Sequence, residues 1–110
     1  MDAEGWDSTV AFDDLREGHG TKVMLGADAV LVVRSGERVF AIGDRCTHQG
    51  APLDRGPVKI GGSEATVTCP AHGSVFRLED GRVLRGPATV AVAAYDARVS
   101  DGTVELRPRA

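Results

Sequence analysis

Aromatics are scarce in this chain of 110 residues, at 5%, and it has only two cysteines. Amphipathic periodicity is missing too: no ten-residue window keeps apolar side chains at i, i+3, i+4 and i+7, so no helix of ordinary length is expected. The longest apolar run, Ala29 to Val33, is far too short to cross a bilayer as a helix, which argues against a membrane role. No block of lysine and arginine appears. With 13 basic against 16 acidic residues and a formal net charge of -3, the chain lacks the basic face that nucleic acid asks for. The length holds one domain, residues 1–110, and leaves no room for a second, catalytic one. No nucleophile elbow, Walker-type loop or dinucleotide-binding glycine loop is present, so an enzyme is not expected. The opening, Met1-Asp2-Ala3-Glu4-Gly5-Trp6-Asp7, is acidic where a secretory leader is basic and then apolar. The expected location is therefore the cytoplasm.

What the chain does have is glycine, 14 in all, set between short β-branched runs. That pattern predicts an all-β fold. Strands are expected at Thr9–Phe12, Thr21–Leu25, Ala29–Arg34 and Glu37–Ile42, the last two joined through Ser35-Gly36. Further strands are expected at Glu64–Thr68, at Val75–Leu78 and Arg82–Leu84 around Glu79-Asp80-Gly81, and at Thr89–Val99 and Thr103–Arg107 around Ser100-Asp101-Gly102. Between Pro52 and Gly62 the prolines and glycines predict irregular chain.

Both cysteines and two of the three histidines fall in two short stretches, Cys46-Thr47-His48 and Cys69-Pro70-Ala71-His72, each just beyond an expected strand end. Each stretch supplies one thiolate and one imidazole, a four-ligand set of two sulfurs and two nitrogens. Tetrahedral zinc accepts such a set, although zinc modules usually pair two Cys on one arm and two His on the other. Mixed arms equally suit a [2Fe–2S] cluster with the cysteines on one iron and the histidines on the other. Both options stand on the residues alone. With both thiols claimed by a metal, none is left for a disulfide. His19, in Gly18-His19-Gly20, has no partner at ligand spacing and reads as a solvated turn residue.

The run C-T-H-Q-G-A-P-L-D-x-G over residues 46–56, followed by C-P-A-H-G-S-x-F over residues 69–76, closely resembles the two ligand blocks of the Rieske iron–sulfur family. The likeness extends from about Val30 to Leu106. It implies a Rieske-type antiparallel β-sandwich or barrel in which a small cluster-binding subdomain, about residues 44–87, is inserted between strands of a larger base. It also implies one [2Fe–2S] cluster, with Cys46 and Cys69 on one iron and His48 and His72 on the other. Leu53 and Pro87 match positions that close over the cluster, and Ser74 matches a serine whose hydroxyl reaches a cluster sulfur. High-potential members carry an extra cysteine in each ligand loop and a tyrosine. Here Gln49 to Pro52 and Ala71 stand in place of the cysteines, and Phe76, without a hydroxyl, in place of the tyrosine. A reduction potential of roughly -150 mV to near zero is therefore expected. The spacer from Gln49 to Thr68 is long for compact members of the family, which leaves the shape of Pro57–Ser63 open.

The function implied by the resemblance is that of a free-standing Rieske-type ferredoxin. It would carry one electron at a time from a flavin-containing NAD(P)H reductase to a terminal oxygenase acting on aromatic compounds, docking transiently at the His tips. Three alternatives accompany it: the small Rieske subunit of an NAD(P)H nitrite reductase, the Rieske part of an oxygenase whose mononuclear-iron domain is missing here, and a zinc-stabilised interaction module. Asp2, Glu4, Asp7, Asp13, Asp14 and Glu17 crowd the start of the chain against Arg16, while arginines gather late; the simplest reading is a solvated surface.

Overall fold

In the computed structural model, which describes residues 5–109, the regular elements are strands and two single turns of 3-10 helix. The chain runs through β1 (Asp7–Ala11), a 3-10 turn (Phe12–Asp14), β2 (Gly20–Leu25), β3 (Asp28–Ser35) and β4 (Arg38–Gly43). A second 3-10 turn (Leu53–Arg55) precedes four short strands: β5 (Val58–Lys59), β6 (Thr66–Thr68), β7 (Val75–Arg77) and β8 (Val83–Arg85). The hairpin of β9 (Tyr95–Ser100) and β10 (Thr103–Pro108) follows. Three antiparallel sheets result, in the orders β1-β10-β9, β2-β3-β4 and β5-β6-β7-β8. A bridge between Ile42 and Ala94 ties the end of β4 to the start of β9. The acids at positions 2 and 4 lie outside the described residues.

β3 explains the one apolar run. Side chains alternate across a strand, and in β3 both faces are covered. Leu31 and Val33 join Phe40, Ile42, Leu53, Val67, Phe76, Leu78 and both cysteines in one core. Val30 and Val32 face the other way, into a second core with Leu15, Val23, Ala41, Tyr95, Val104 and Leu106. All four β3 residues are completely buried, each contributing about 1.5–3 kcal/mol by burial. The β9–β10 turn, Asp101-Gly102, has positive φ at both positions (52° and 77°), the backbone of a type I′ hairpin turn.

The structure shifts several expected boundaries. The first strand starts at Asp7 and stops before Phe12, and the sixth starts at Thr66 rather than Glu64. Two residues in the expected irregular stretch, Val58 and Lys59, pair with Val67 and Thr66. The long spacer thus adds an edge strand to the four-stranded sheet. The largest correction concerns Thr89–Val99: ladder pairing begins only at Tyr95. The preceding segment spends its backbone hydrogen bonds elsewhere. The Ala88 N–H donates to Ser74 Oγ (3.0 Å), the Val92 N–H to the Gly81 carbonyl (3.0 Å), and the Ala93 carbonyl accepts from the Gly43 N–H (2.8 Å). It is a strap laid over the loops and held to them by these bonds rather than by a strand ladder.

Candidate metal centre

The two ligand loops are closed by the same pair of hydrogen bonds. In the first, the Cys46 N–H donates to the Ala51 carbonyl (2.9 Å) and the Gly50 N–H to the Cys46 carbonyl (2.7 Å). In the second, the Cys69 N–H donates to the Ser74 carbonyl (2.7 Å) and the Gly73 N–H to the Cys69 carbonyl (3.1 Å). Each loop turns back at a glycine with positive φ, 76° at Gly50 and 82° at Gly73, a conformation glycine adopts without the penalty a Cβ would bring. The loops differ in where the histidine falls, two residues after Cys46 and three after Cys69.

This geometry sorts the four candidate ligands into two layers. Cys46 and Cys69 are both free, each 2% exposed, and packed in the first core. His48 and His72 are exposed, with ring centroids 5.3 Å apart and planes at 84°. Soft donors thus sit in a dry interior and imidazoles at the water-facing tip. Among the described residues no three His, Cys, Asp or Glu side chains are grouped as a single ion would require. A two-iron cluster asks only two protein donors of each iron. The donor set and its layering therefore fit a [2Fe–2S] group.

The neighbouring side chains divide by depth. Leu53, Ser74 and Phe76 have no exposed surface, and Ser74 Oγ accepts the Ala88 N–H, which leaves its own hydrogen free to donate. Gln49 and Pro87 are exposed, as is His19. Thr47 Oγ1 donates to the Val90 carbonyl at 2.5 Å and fastens the first loop to the strap. Gly56 carries a tighter constraint, because a Cβ built there would lie 1.8 Å from the Thr68 carbonyl oxygen and 3.2 Å from Pro70 Cδ. The chain after Leu53 can pass the second loop only as glycine.

Behind the first loop lies a charged group that sequence reading missed. The backbone of Asp44 donates to the Ala29 carbonyl (3.0 Å) and accepts from the Leu53 N–H (3.2 Å), while Asp44 Oδ1 accepts the Asp54 N–H (2.6 Å). One residue thus joins both ends of the loop that carries Cys46. Lys22 Nζ lies 3.3 Å from Asp44 Oδ2 and 3.7 Å from Asp54 Oδ1. Both oxygens are buried without a hydrogen-bond partner, so this contact is ionic rather than a directed bond. Burial, with the Asp54 carboxyl beside it, raises Asp44 from the ordinary 3.8 to about 6. The available signal was an acid two positions before the cysteine, which spacing alone does not distinguish from a surface acid. Among the described residues an open cleft of about 450 Å³, lined by Asp28, Asp44, Arg45, Thr47 and Ala91–Ala93, flanks the first loop. Another, of about 470 Å³, is lined by Trp6, Arg38, Arg98 and Arg107 and touches none of the four ligands.

An all-β frame carrying two matched Cys/His loops defines a metal-centre protein with two thiolate and two imidazole donors. Comparison with known proteins narrows this further. The Rieske-like [2Fe-2S] domain profile matches residues 5–107, and the chain belongs to that family. It is 36% identical over 94 residues to the 3-phenylpropionate/cinnamic acid dioxygenase ferredoxin subunit of Photorhabdus laumondii, covering 86% of each chain. Among solved structures it is similar to the ferredoxin of carbazole 1,9a-dioxygenase from Nocardioides aromaticivorans IC177, with a TM-score of 0.89 and 30% identity over 96% of this chain and 99% of that one. It is also similar to a protein described as the small subunit of an NADH-dependent nitrite reductase from Mycobacterium tuberculosis, with a TM-score of 0.84 and 33% identity over 96% of each. The first two relatives are electron-transfer subunits rather than catalysts. Among the described residues no helix is long and apolar enough to cross a membrane.

Proposed function

We propose that this chain is a one-electron carrier, a Rieske-type ferredoxin of a dioxygenase system. In this reading Cys46 and Cys69 would hold one iron of a [2Fe–2S] cluster, and His48 and His72 the other, within a cluster-binding subdomain of about residues 44–87. The observation that carries this reading is the pairing of two dry, free thiols with two facing, exposed imidazoles on loops closed alike. When bound, the cluster supplies a reversible one-electron couple whose potential is raised by imidazole in place of thiolate. The chain's residues keep the sulfur side dry and bring the imidazole edges to the surface where a partner can meet them. Electrons are proposed to come from a flavin-containing NAD(P)H reductase and to leave to a terminal oxygenase, in the cytoplasm.

Iron and acid-labile sulfide analysis on anaerobically purified protein tests the cluster, with two of each per chain expected. On reduction, a rhombic electron-spin resonance with average g below the free-electron value is expected, and Cys46→Ser should abolish it. Zinc without sulfide would refute the reading. The similarity to the nitrite reductase subunit favours a second assignment of the acceptor. Reducing the protein with NADH and a reductase, then offering an oxygenase or a nitrite reductase, separates the two by which one reoxidises it.

A further inference from the structure

Three exposed arginines surround the ligand loops. Arg45 precedes Cys46 and lies alongside Gly50, whose Cβ position is 3.8 Å from Arg45 Cδ. Arg55 precedes Gly56, the glycine pressed against Thr68 and Pro70 of the second loop. Arg85 pairs across the sheet with Val75, directly after Ser74. None of the three forms an ion pair with a described residue. Residues 45–53 and 65–78 contain no acid at all, and Asp54 is turned inward to Lys22. Two acids line the flanking cleft: Asp28, which is exposed, and Asp44, which is buried and lies against Lys22. Apart from His48 and His72, the exposed residues of the ligand loops and the strap beside them are uncharged, among them Thr47, Gln49, Pro70, Ala71, Pro87 and Val90, the last 62% exposed.

The opposite end has the reverse character. Because Ile42 pairs with Ala94, β4 and β9 run so that the turns at Gly36-Glu37 and Asp101-Gly102 share the end away from Cys46. The Phe12 N–H donates to the Gly102 carbonyl and the Gly36 N–H to Glu17 Oε1, which gathers the 12–17 segment there as well. Asp13, Asp14, Glu17, Glu37 and Asp101 are all exposed at this end. The Arg34 guanidinium stacks on Phe12 and reaches the Phe12 and Leu15 carbonyls, while Arg16 and Arg38, the latter stacked on Phe40, are exposed.

We infer that the cluster end is a basic docking face with an uncharged centre, and that the redox protein it meets carries an acidic rim around its own electron-transfer site. The inference rests on the carrier reading above. It makes a prediction opposite to that of the net charge of -3: a small anionic redox reagent should be drawn to this protein, since local potential rather than total charge governs approach to one face.

The test measures stopped-flow reduction of the oxidised holoprotein by two probes. The sulfur dioxide radical anion from dithionite and the methyl viologen radical cation each give up one electron, leaving sulfur dioxide and the viologen dication. Raising salt from about 10 mM to about 200 mM shortens the screening length from about 30 Å to below 10 Å. The anion's rate constant should then fall by about two-fold or more and the cation's should rise. Replacing all three arginines (Arg45→Gln, Arg55→Gln, Arg85→Gln) should remove the anion's salt dependence, while Asp13→Asn with Asp14→Asn should leave it in place. An anion rate that rises with salt, or an unchanged slope in the arginine variant, overturns the inference while the visible spectrum keeps the carrier reading intact. Arginine-dependent self-association at low salt, seen by sedimentation, would assign the face to a second copy's acidic end and also overturn it. A colourless protein without iron would overturn both readings.

Discussion

Ser74 Oγ accepts the Ala88 N–H while keeping a hydrogen of its own, and Phe76, two residues on, brings no polar atom into the same dry core. Their roles can be separated by single changes. Ser74→Ala orphans a buried amide and should cost about 1–3 kcal/mol, read as a lower denaturant midpoint with unchanged slope. It should also lower the midpoint potential, because a hydroxyl that can donate to sulfur is lost. Phe76→Tyr adds such a donor at the position where high-potential members carry tyrosine. Its midpoint should rise by roughly tens of millivolts in voltammetry; an unmoved potential would mean that the ring edge faces away from the sulfurs. These two residues were legible in the sequence because they fall inside a dense motif. Asp44 was not, since its importance lies in contacts with Ala29, Leu53 and Asp54 that come from three separate segments.

Loops closed by matched hydrogen bonds depend on what passes beside them, and Gly56 is the closest neighbour. Gly56→Ala would drive a methyl into the Thr68 carbonyl, backbone that cannot step aside without moving Cys69. Iron content should fall severalfold in Gly56→Ala, whereas Gly61→Ala, with open space around its Cβ position, should retain it. A milder test concerns the β7–β8 hairpin. Arg77 pairs with Asp80 and Glu64, and the Arg77 guanidinium, helped by the Arg82 N–H, lowers Asp80 from 3.8 to about 2. A carboxylate depressed on folding contributes stability that is present above pH 4 and lost as pH falls toward 2. The side chain is about one-third exposed, so solvent screening keeps the effect small. Asp80→Asn should flatten the acid limb of the stability profile below pH 4; an identical limb would place the acid sensitivity elsewhere. At this scale the ligand loops were legible because cysteine and histidine spacing is local. The strap over residues 88–93 was not. Its β-branched Thr89, Val90 and Val92 match a strand, and hydrogen bonds with Gly43, Ser74 and Gly81 divert it.

β3 divides the molecule into two cores, and only one of them contains the cysteines. The first core closes around Cys46, Cys69, Leu53, Val67 and Phe76, residues drawn from loops and from strands of three residues or fewer. Such pieces have few ladder bonds of their own, so their order leans on whatever the thiols and imidazoles hold. The second core is built by six-residue and eight-residue strands, with Val23, Val30, Val32, Val104 and Leu106 contributed from three of them. Removing iron should therefore loosen the molecule unevenly. Hydrogen exchange on chelator-treated protein should show the amides of Val67 and Phe76 losing protection, while those of Val32, Val104 and Leu106 stay slow. The all-β frame was readable from turn residues and β-branched runs, but this division was not, since an apolar run such as Val30–Val33 does not reveal that its two faces serve different cores. Simultaneous loss of protection in both sets would mean that Leu31 and Val33 couple the cores into one cooperative unit, and the cluster would then hold the whole fold rather than one end of it.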